Sequence, residues 1–285
     1  MKYLFILCIT SSQSFAHQPW GFYAHKKINR MAVFCLPPPL INLYKRHLSN
    51  IETFAVLPDQ RRHSLDQEAA RHYIDLDKYP IKSIQNLTWN EAVSKYSKDT
   101  LEKHGIVPWN IITFYHNLIY AFEKRDTLKI IKLSAELGHY VADAHVPLHT
   151  TSNYDGQQSN QIGIHSFWES KIPELVREQL DDWIGVATYI PNVLHACWGW
   201  IIDSHNMLPE LFEGERTISQ KMANSKKYMH HQRGLVLEKT YTPEYILAYH
   251  KQLDNQVEKR YRESIKHIAN LWYSAWLESG EPDFK

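Results

Sequence analysis

The sequence carries 17 histidines in 285 residues, and several stand at spacings that bring side chains together. The densest group is Gly138-His139-Tyr-Val-Ala-Asp143-Ala-His145-Val-Pro147-Leu-His149. On a helix His139 and Asp143 share a face, four residues apart, and can converge on one ion. Pro147 should end that helix, which frees His149 to face a different point. His165 and Glu169, in His165-Ser-Phe-Trp-Glu169, repeat the same spacing on the next predicted helix. Nitrogen paired with carboxylate oxygen suits a borderline cation such as zinc. One such pair by itself is usually a solvated face or a helix salt bridge. Two pairs joined through a proline-stopped helix and a further histidine argue for a metal centre. His145, between them, reads as structural or as a group standing behind a ligand.

Three upstream stretches add to this set: Trp20-Gly-Phe-Tyr-Ala-His25, Asp59-Gln-Arg-Arg62, and Ala70-Arg-His72-Tyr73-Ile-Asp75. Together the residues resemble the superfamily of zinc-dependent phospholipases C and single-strand-specific zinc nucleases, over the span from Trp20 to Glu169. The His-x3-Asp-x5-His and His-x3-Glu spacings are the most specific part of the resemblance. It implies up to three zinc ions. One would be held by the amino nitrogen and carbonyl of Trp20 with His25 and Asp143. A second would take Asp59, His72, His139 and the same bridging Asp143. The third would take His149, His165 and Glu169. Asp66 and Asp75 compete for the place of Asp59. In the family the tryptophan opens the mature enzyme. An ordinary peptide nitrogen is a poor ligand, because its lone pair is delocalised. That site therefore requires processing up to Trp20, or a different construction in which His17 takes part.

Clustered ions suit attack on a phosphate ester. Two ions bridged by a carboxylate acidify a shared water near neutral pH, and a third can bind a phosphate oxygen and stabilise the leaving group. The resemblance assigns Asp59 to orienting or deprotonating that water. It places Arg62 where the nuclease branch carries a cation beside the phosphate, although a plain surface charge is an equal reading. Asp75 stands where that branch contacts a base, and Tyr73 could stack on the base or simply fill the core. The expected activity is that of a zinc-dependent phosphoesterase. Its partner would be a phosphate-ester substrate, with single-stranded nucleic acid or nucleotide favoured. A phosphatidylcholine-like headgroup is the alternative, recognised through aromatics and carboxylates. No stable protein partner is implied. A non-catalytic metal-binding or interaction protein is the reading from another class, and the near-complete ligand set argues against it.

The elements that must position these residues are helical. Periodic apolar patterns predict helices over 22–34, 40–54, 66–75, 110–123, 127–144, 165–179, 183–203 and 254–279. Alternating strand patterns are nearly absent. The stretch 150–163 reads as a long polar loop, and 210–239 has no clear assignment. The expected fold is all-α: a single compact multi-helix domain over residues 17–285, with long loops around the metal cluster. Lys2, the apolar run Tyr3–Ile9 and the small residues Ser14 and Ala16 read as a signal peptide over 1–16. That implies a secreted or periplasmic protein. Beyond Ala16 only Cys35 and Cys197 remain; they could form one disulfide, which is no disulfide framework. Formal net charge is +1, so nothing global draws the chain to nucleic acid or anionic membrane, and phosphate recognition must be local.

Overall fold

A computed structural model of the chain describes residues 21–62, 64–233 and 236–284. Trp20 and the signal segment 1–16 lie outside the described residues. At the centre runs the helix Thr127–Ala144, started by the Asp126 side chain, which accepts from the Lys129 N–H at 3.1 Å. Every residue from Ser134 to Ala144 is buried, the mark of a helix surrounded on all sides. Around it pack Val107–Glu123, which leads into it through a tight turn, and Gly21–Phe34, Leu48–Phe54 and the closing helix Gln256–Glu278. Tyr44 and Trp272 tie two of these layers to one point. The Tyr44 hydroxyl lies 2.7 Å from Ser134 Oγ, and Trp272 Nε1 donates to the Ser134 carbonyl.

The class is all-α, with one two-stranded hairpin among the described residues. Tyr228–Arg233 pairs antiparallel with Val236–Tyr241, a hairpin that begins inside the stretch 210–239 that the sequence left unassigned and ends just beyond it. Cys35 and Cys197 are buried free thiols, so the expected option of a disulfide between them is not taken up. Several helix expectations need correction. The 40–54 pattern is two helices, Leu40–Arg46 and Leu48–Phe54, broken at His47, where ψ swings to 22°. Helix 183–203 begins only at Val193, after the positive-φ Gly185 and Pro191, with Asn192 as its cap. The helix of the second pair, His165 and Glu169, is Ile164–Ser166, then a π-helical turn Phe167–Lys171, then Ile172–Leu175, and it stops short of 179.

The largest departure is 66–75, which is no helix beyond the 3-10 turn Ala69–Arg71. Its backbone groups find partners in other segments instead. Ile74 N–H donates to the His149 carbonyl at 2.9 Å and Asp75 N–H to His104 at 2.7 Å. The Ala70 carbonyl accepts from Ile106 at 2.7 Å. Hydrogen bonds from distant chain replace the local ladder, and His72 is drawn against the central helix.

The C-terminal end of that helix is capped by side chains. Ser204 Oγ donates to the Ala144 carbonyl, and the buried Arg260 donates to the carbonyls of His145 and Trp200. The bonds to Ala144 and His145 satisfy helix-end carbonyls that have no partner within the helix, and they fix the turn between Asp143 and His149.

Gly138 sets how closely Gly21–Phe34 approaches. A Cβ at this position would lie 2.1 Å from Asn29 Oδ1, while Asn29 Nδ2 donates to the His25 carbonyl at 3.0 Å. The first helix thus sits where only a glycine admits it, which holds His25 against His139. We predict that Gly138→Ala lowers the stability of the chelator-treated protein by about 1–3 kcal/mol through overpacking. Adding Asn29→Ala should restore part of it. Urea denaturation checks this, and an unchanged midpoint would contradict the close approach.

Candidate metal centre

Six segments deliver side chains to one buried region. His25 comes from Gly21–Phe34, Asp59 from Leu57–Arg61, and His72 from the non-helical stretch after Ala69–Arg71. His139 and Asp143 come from the central helix. His149 leaves from the 3-10 turn Pro147–Thr150, and His165 and Glu169 from the segment beyond the polar loop. Asp143 is 1 % exposed and His139 is fully buried.

The donor atoms fall into overlapping groups. His72 Nδ1, His139 Nε2 and Asp143 Oδ2 form a triangle with sides of 3.1, 2.9 and 3.3 Å. Asp59 Oδ1 stands 3.9 Å from the first and 3.8 Å from the second. A second triangle joins His149 Nε2, His165 Nε2 and Glu169 Oε2, with sides of 3.0, 2.7 and 3.5 Å. Ligands about 2.0–2.1 Å from a tetrahedral zinc stand about 3.3 Å apart, so both triangles have the dimensions of a zinc ligand face. Two imidazole nitrogens facing each other at 3.0 Å gain little unless a proton or a cation lies between them. The donor set fits metal.

The other oxygens of the two carboxylates face His25. Its Nε2 lies 3.4 Å from Asp143 Oδ1 and 3.6 Å from Glu169 Oε1, so a third group forms from His25, Asp143 and Glu169. Asp143 therefore spans two groups, and Glu169 does so as well. The sharing by Glu169 was not anticipated from sequence. The described residues thus assemble a three-donor group at His25 from side chains alone.

Groups behind the ligands set their direction. His139 Nδ1–H donates to the Ala55 carbonyl at 2.8 Å, and His149 Nδ1–H to the His72 carbonyl at 2.7 Å, so each ring turns Nε2 inward. Such partners fix tautomer and orientation. His145 points away from the donors. Its Nδ1–H donates to the Val141 carbonyl and its Nε2 lies 2.8 Å from His267 Nδ1, a structural role beneath the site.

A cavity of about 730 Å³ opens onto the donors, and Asp59, Arg62, Tyr73 and Asp75 all line it. Arg62 Nη1 lies 3.6 Å from Asp59 Oδ1, with its side chain 48 % exposed. Tyr73 is partly buried and donates to the Lys103 carbonyl. Asp75 is engaged by His104 Nδ1 at 3.2 Å and Asp66 is exposed, so of the three competing aspartates only Asp59 joins the donors. Tyr154 and Asp155 of the polar loop line the same cavity and were not anticipated. Nor was Glu68, fully buried behind His72. Its signal was present, since Glu68 and His72 stand four residues apart.

Burial disfavours charge on His149, but the carboxylates of Asp143 and Glu169 outweigh it and lift its pKa to about 9. His25 and His72 are raised in the same way, against burial, by Glu169 and Asp143 respectively. His139 behaves oppositely: burial, then the adjacent His25, push it down to about 3. Asp143 is held ionised, burial notwithstanding, by His139 and His149.

No family model matches the chain, and no curated protein matches it. Solved structures do share its fold. The alpha toxin from Clostridium absonum aligns over 92% of this chain and 66% of its own, at 14% identity and a TM-score of 0.55. The alpha-toxin of Clostridium perfringens from avian strain SWCP aligns over 90% and 65%, at 14% identity and a TM-score of 0.51. The chain thus spans just under two thirds of the length of these toxins, and at this identity the likeness is one of fold. No helix among the described residues is long and apolar enough to cross a membrane.

The charge pattern makes a prediction. In metal-free protein at neutral pH His149 carries a proton, and an ion can bind only after that proton leaves. Apparent zinc affinity should therefore rise with pH through neutrality and level off near pH 9. Zinc binding at pH 7 should release protons, visible as a buffer-dependent heat in calorimetry. A buffer-independent heat would contradict the assignment.

Proposed function

We propose that this chain is a zinc-dependent hydrolase of phosphate esters, acting in the cavity above the shared carboxylate Asp143. The observation that carries this reading is the meeting of nitrogen–oxygen donor groups, spaced for zinc, on the floor of a cavity whose rim holds an arginine. Zinc held there would supply positive charge to phosphate oxygens and acidify a water molecule. His72, His139, Asp143 and Asp59 hold one position, His149, His165 and Glu169 another, and His25 with Asp143 and Glu169 a third. Processing up to Trp20 would let its amino nitrogen and carbonyl complete the third set. Asp59 reaches the cavity with its carboxylate partly exposed, placed to orient the attacking water and accept its proton. Arg62 adjoins it and offers a cation where charge grows on the phosphate.

The substrate reading leans to single-stranded nucleic acid or a nucleotide. Arg62, Tyr73 and Asp75 line one cavity, which suits a phosphate with a base beside it. A choline-type phospholipid headgroup is the second reading. Its support is the pairing of tyrosines Tyr73 and Tyr154 with carboxylates Asp75 and Asp155 around the same space. Export after cleavage at Ala16 would deliver the enzyme to either substrate outside the cytoplasm.

Zinc-replete protein should hydrolyse bis-p-nitrophenyl phosphate and lose that activity to a chelator; failure with zinc present would refute the hydrolase. Asp143→Asn should lower turnover by more than about 100-fold, since it weakens two donor groups together and even partners behind a ligand are worth 10–100-fold. Near-normal turnover would remove the bridging role. Single-stranded DNA and phosphatidylcholine vesicles, assayed in parallel, separate the two substrates: nucleotide release without diacylglycerol supports the first, and the reverse supports the second.

A further inference from the structure

Glu68 is a buried carboxylate with no part in the donor groups. Its side chain is fully buried, and Arg71 Nη1 at 2.8 Å, Arg61 Nη2 at 3.3 Å and the Tyr140 hydroxyl all donate to it. A carboxylate taken wholly out of water is costly even when paired. Oε1 of Glu68, which accepts from Arg61 and Tyr140, also stands 3.8 Å from Nε2 of His72. That nitrogen is buried with no hydrogen-bond partner, while Nδ1 of the same ring faces Asp143, His139 and Asp59.

From this arrangement we infer that Glu68 is a positioning residue for metal binding, holding the His72 proton on Nε2 so that Nδ1 keeps its lone pair for the ion. A neutral imidazole carries one proton. If it sat on Nδ1, the ring would donate to Asp143 and offer the ion nothing. A proton on Nε2 needs an acceptor in a buried place, and the Glu68 carboxylate stands within about 1 Å of hydrogen-bond range of it. His139 and His149 obtain the same service from backbone carbonyls. His72 points its outer nitrogen at a carboxylate instead, a partner that also raises ligand basicity. Arg61, Arg71 and Tyr140 then serve to keep Glu68 ionised and immobile. Arg61 reaches on to Glu136 at 2.9 Å, so the whole assembly is anchored on the central helix, one turn from His139.

This inference rests on the proposed zinc centre, and zinc affinity rather than turnover tests it. Metal-free protein is titrated with zinc against a chromophoric chelator, and bound zinc is counted by elemental analysis. Glu68→Gln should weaken one ion by roughly 10- to 100-fold, leaving the ion at His149, His165 and Glu169 in place. Glu68→Asp keeps the charge among Arg61 and Arg71 but withdraws the oxygen from His72, so it should show the same loss while its metal-free melting temperature stays closer to wild type. It serves if the glutamine variant does not fold. Glu215→Gln, which neutralises a buried carboxylate paired with Lys227 outside this assembly, should bind zinc as wild type does. Wild-type affinity in Glu68→Asp, or an equal loss in Glu215→Gln, would overturn the inference and leave the zinc centre standing. A wild-type protein that takes up no zinc would overturn both.

Discussion

Everything in this architecture turns on one carboxylate, Asp143, buried among imidazoles. An ionised acid removed from water costs several kcal/mol unless positive charge or donors surround it. Here His25, His72, His139 and His149 approach it from four stretches of chain. In the metal-free protein, protons on some of those rings supply the missing charge. Cations would supply it more completely. Three of the segments around the central helix at this level, those of His25, His72 and His149, each contribute one partner to the acid.

Around that centre lies a second ring of groups that hold no substrate. Ala55 and His72 lend carbonyls to His139 and His149, and Gly138 lets the first helix close on His25. Arg260 and Ser204 secure the turn that sends His149 to a different point from His139. These contacts convert a flexible set of ligands into fixed geometry, which metal sites require of their surroundings. The cost is a dense population of buried polar groups; most find partners within the fold, while His25 Nδ1, Asn29 Oδ1 and His72 Nε2 have no hydrogen-bond partner.

Sequence made the helix-borne part of the site legible. His139 with Asp143, and His165 with Glu169, obey a spacing that any helix enforces, and Pro147 signals the turn to His149. The segment from Asp66 to Asp75 was less legible. Its apolar pattern resembles a helix, but its backbone bonds go to His104, His149 and Ile106, partners that no local reading reveals. Glu68 was legible there, since even a helical reading sets it on one face with His72, four residues on. The hairpin 228–241 escaped because its strands mix polar and aromatic residues without clean alternation. Helix starts at Val193 rather than 183 reflect Gly185 and Pro191, signals present in the sequence but outweighed by the surrounding apolar run.

The central claim is that separate stretches of chain gather donors to hold neighbouring cations. Anomalous diffraction at the zinc edge, from crystals grown with zinc, tests it without reference to any substrate. Peaks should fall between His72, His139 and Asp143, and between His149, His165 and Glu169. A zinc-soaked crystal showing density only on surface residues, with those rings turned apart, would contradict it.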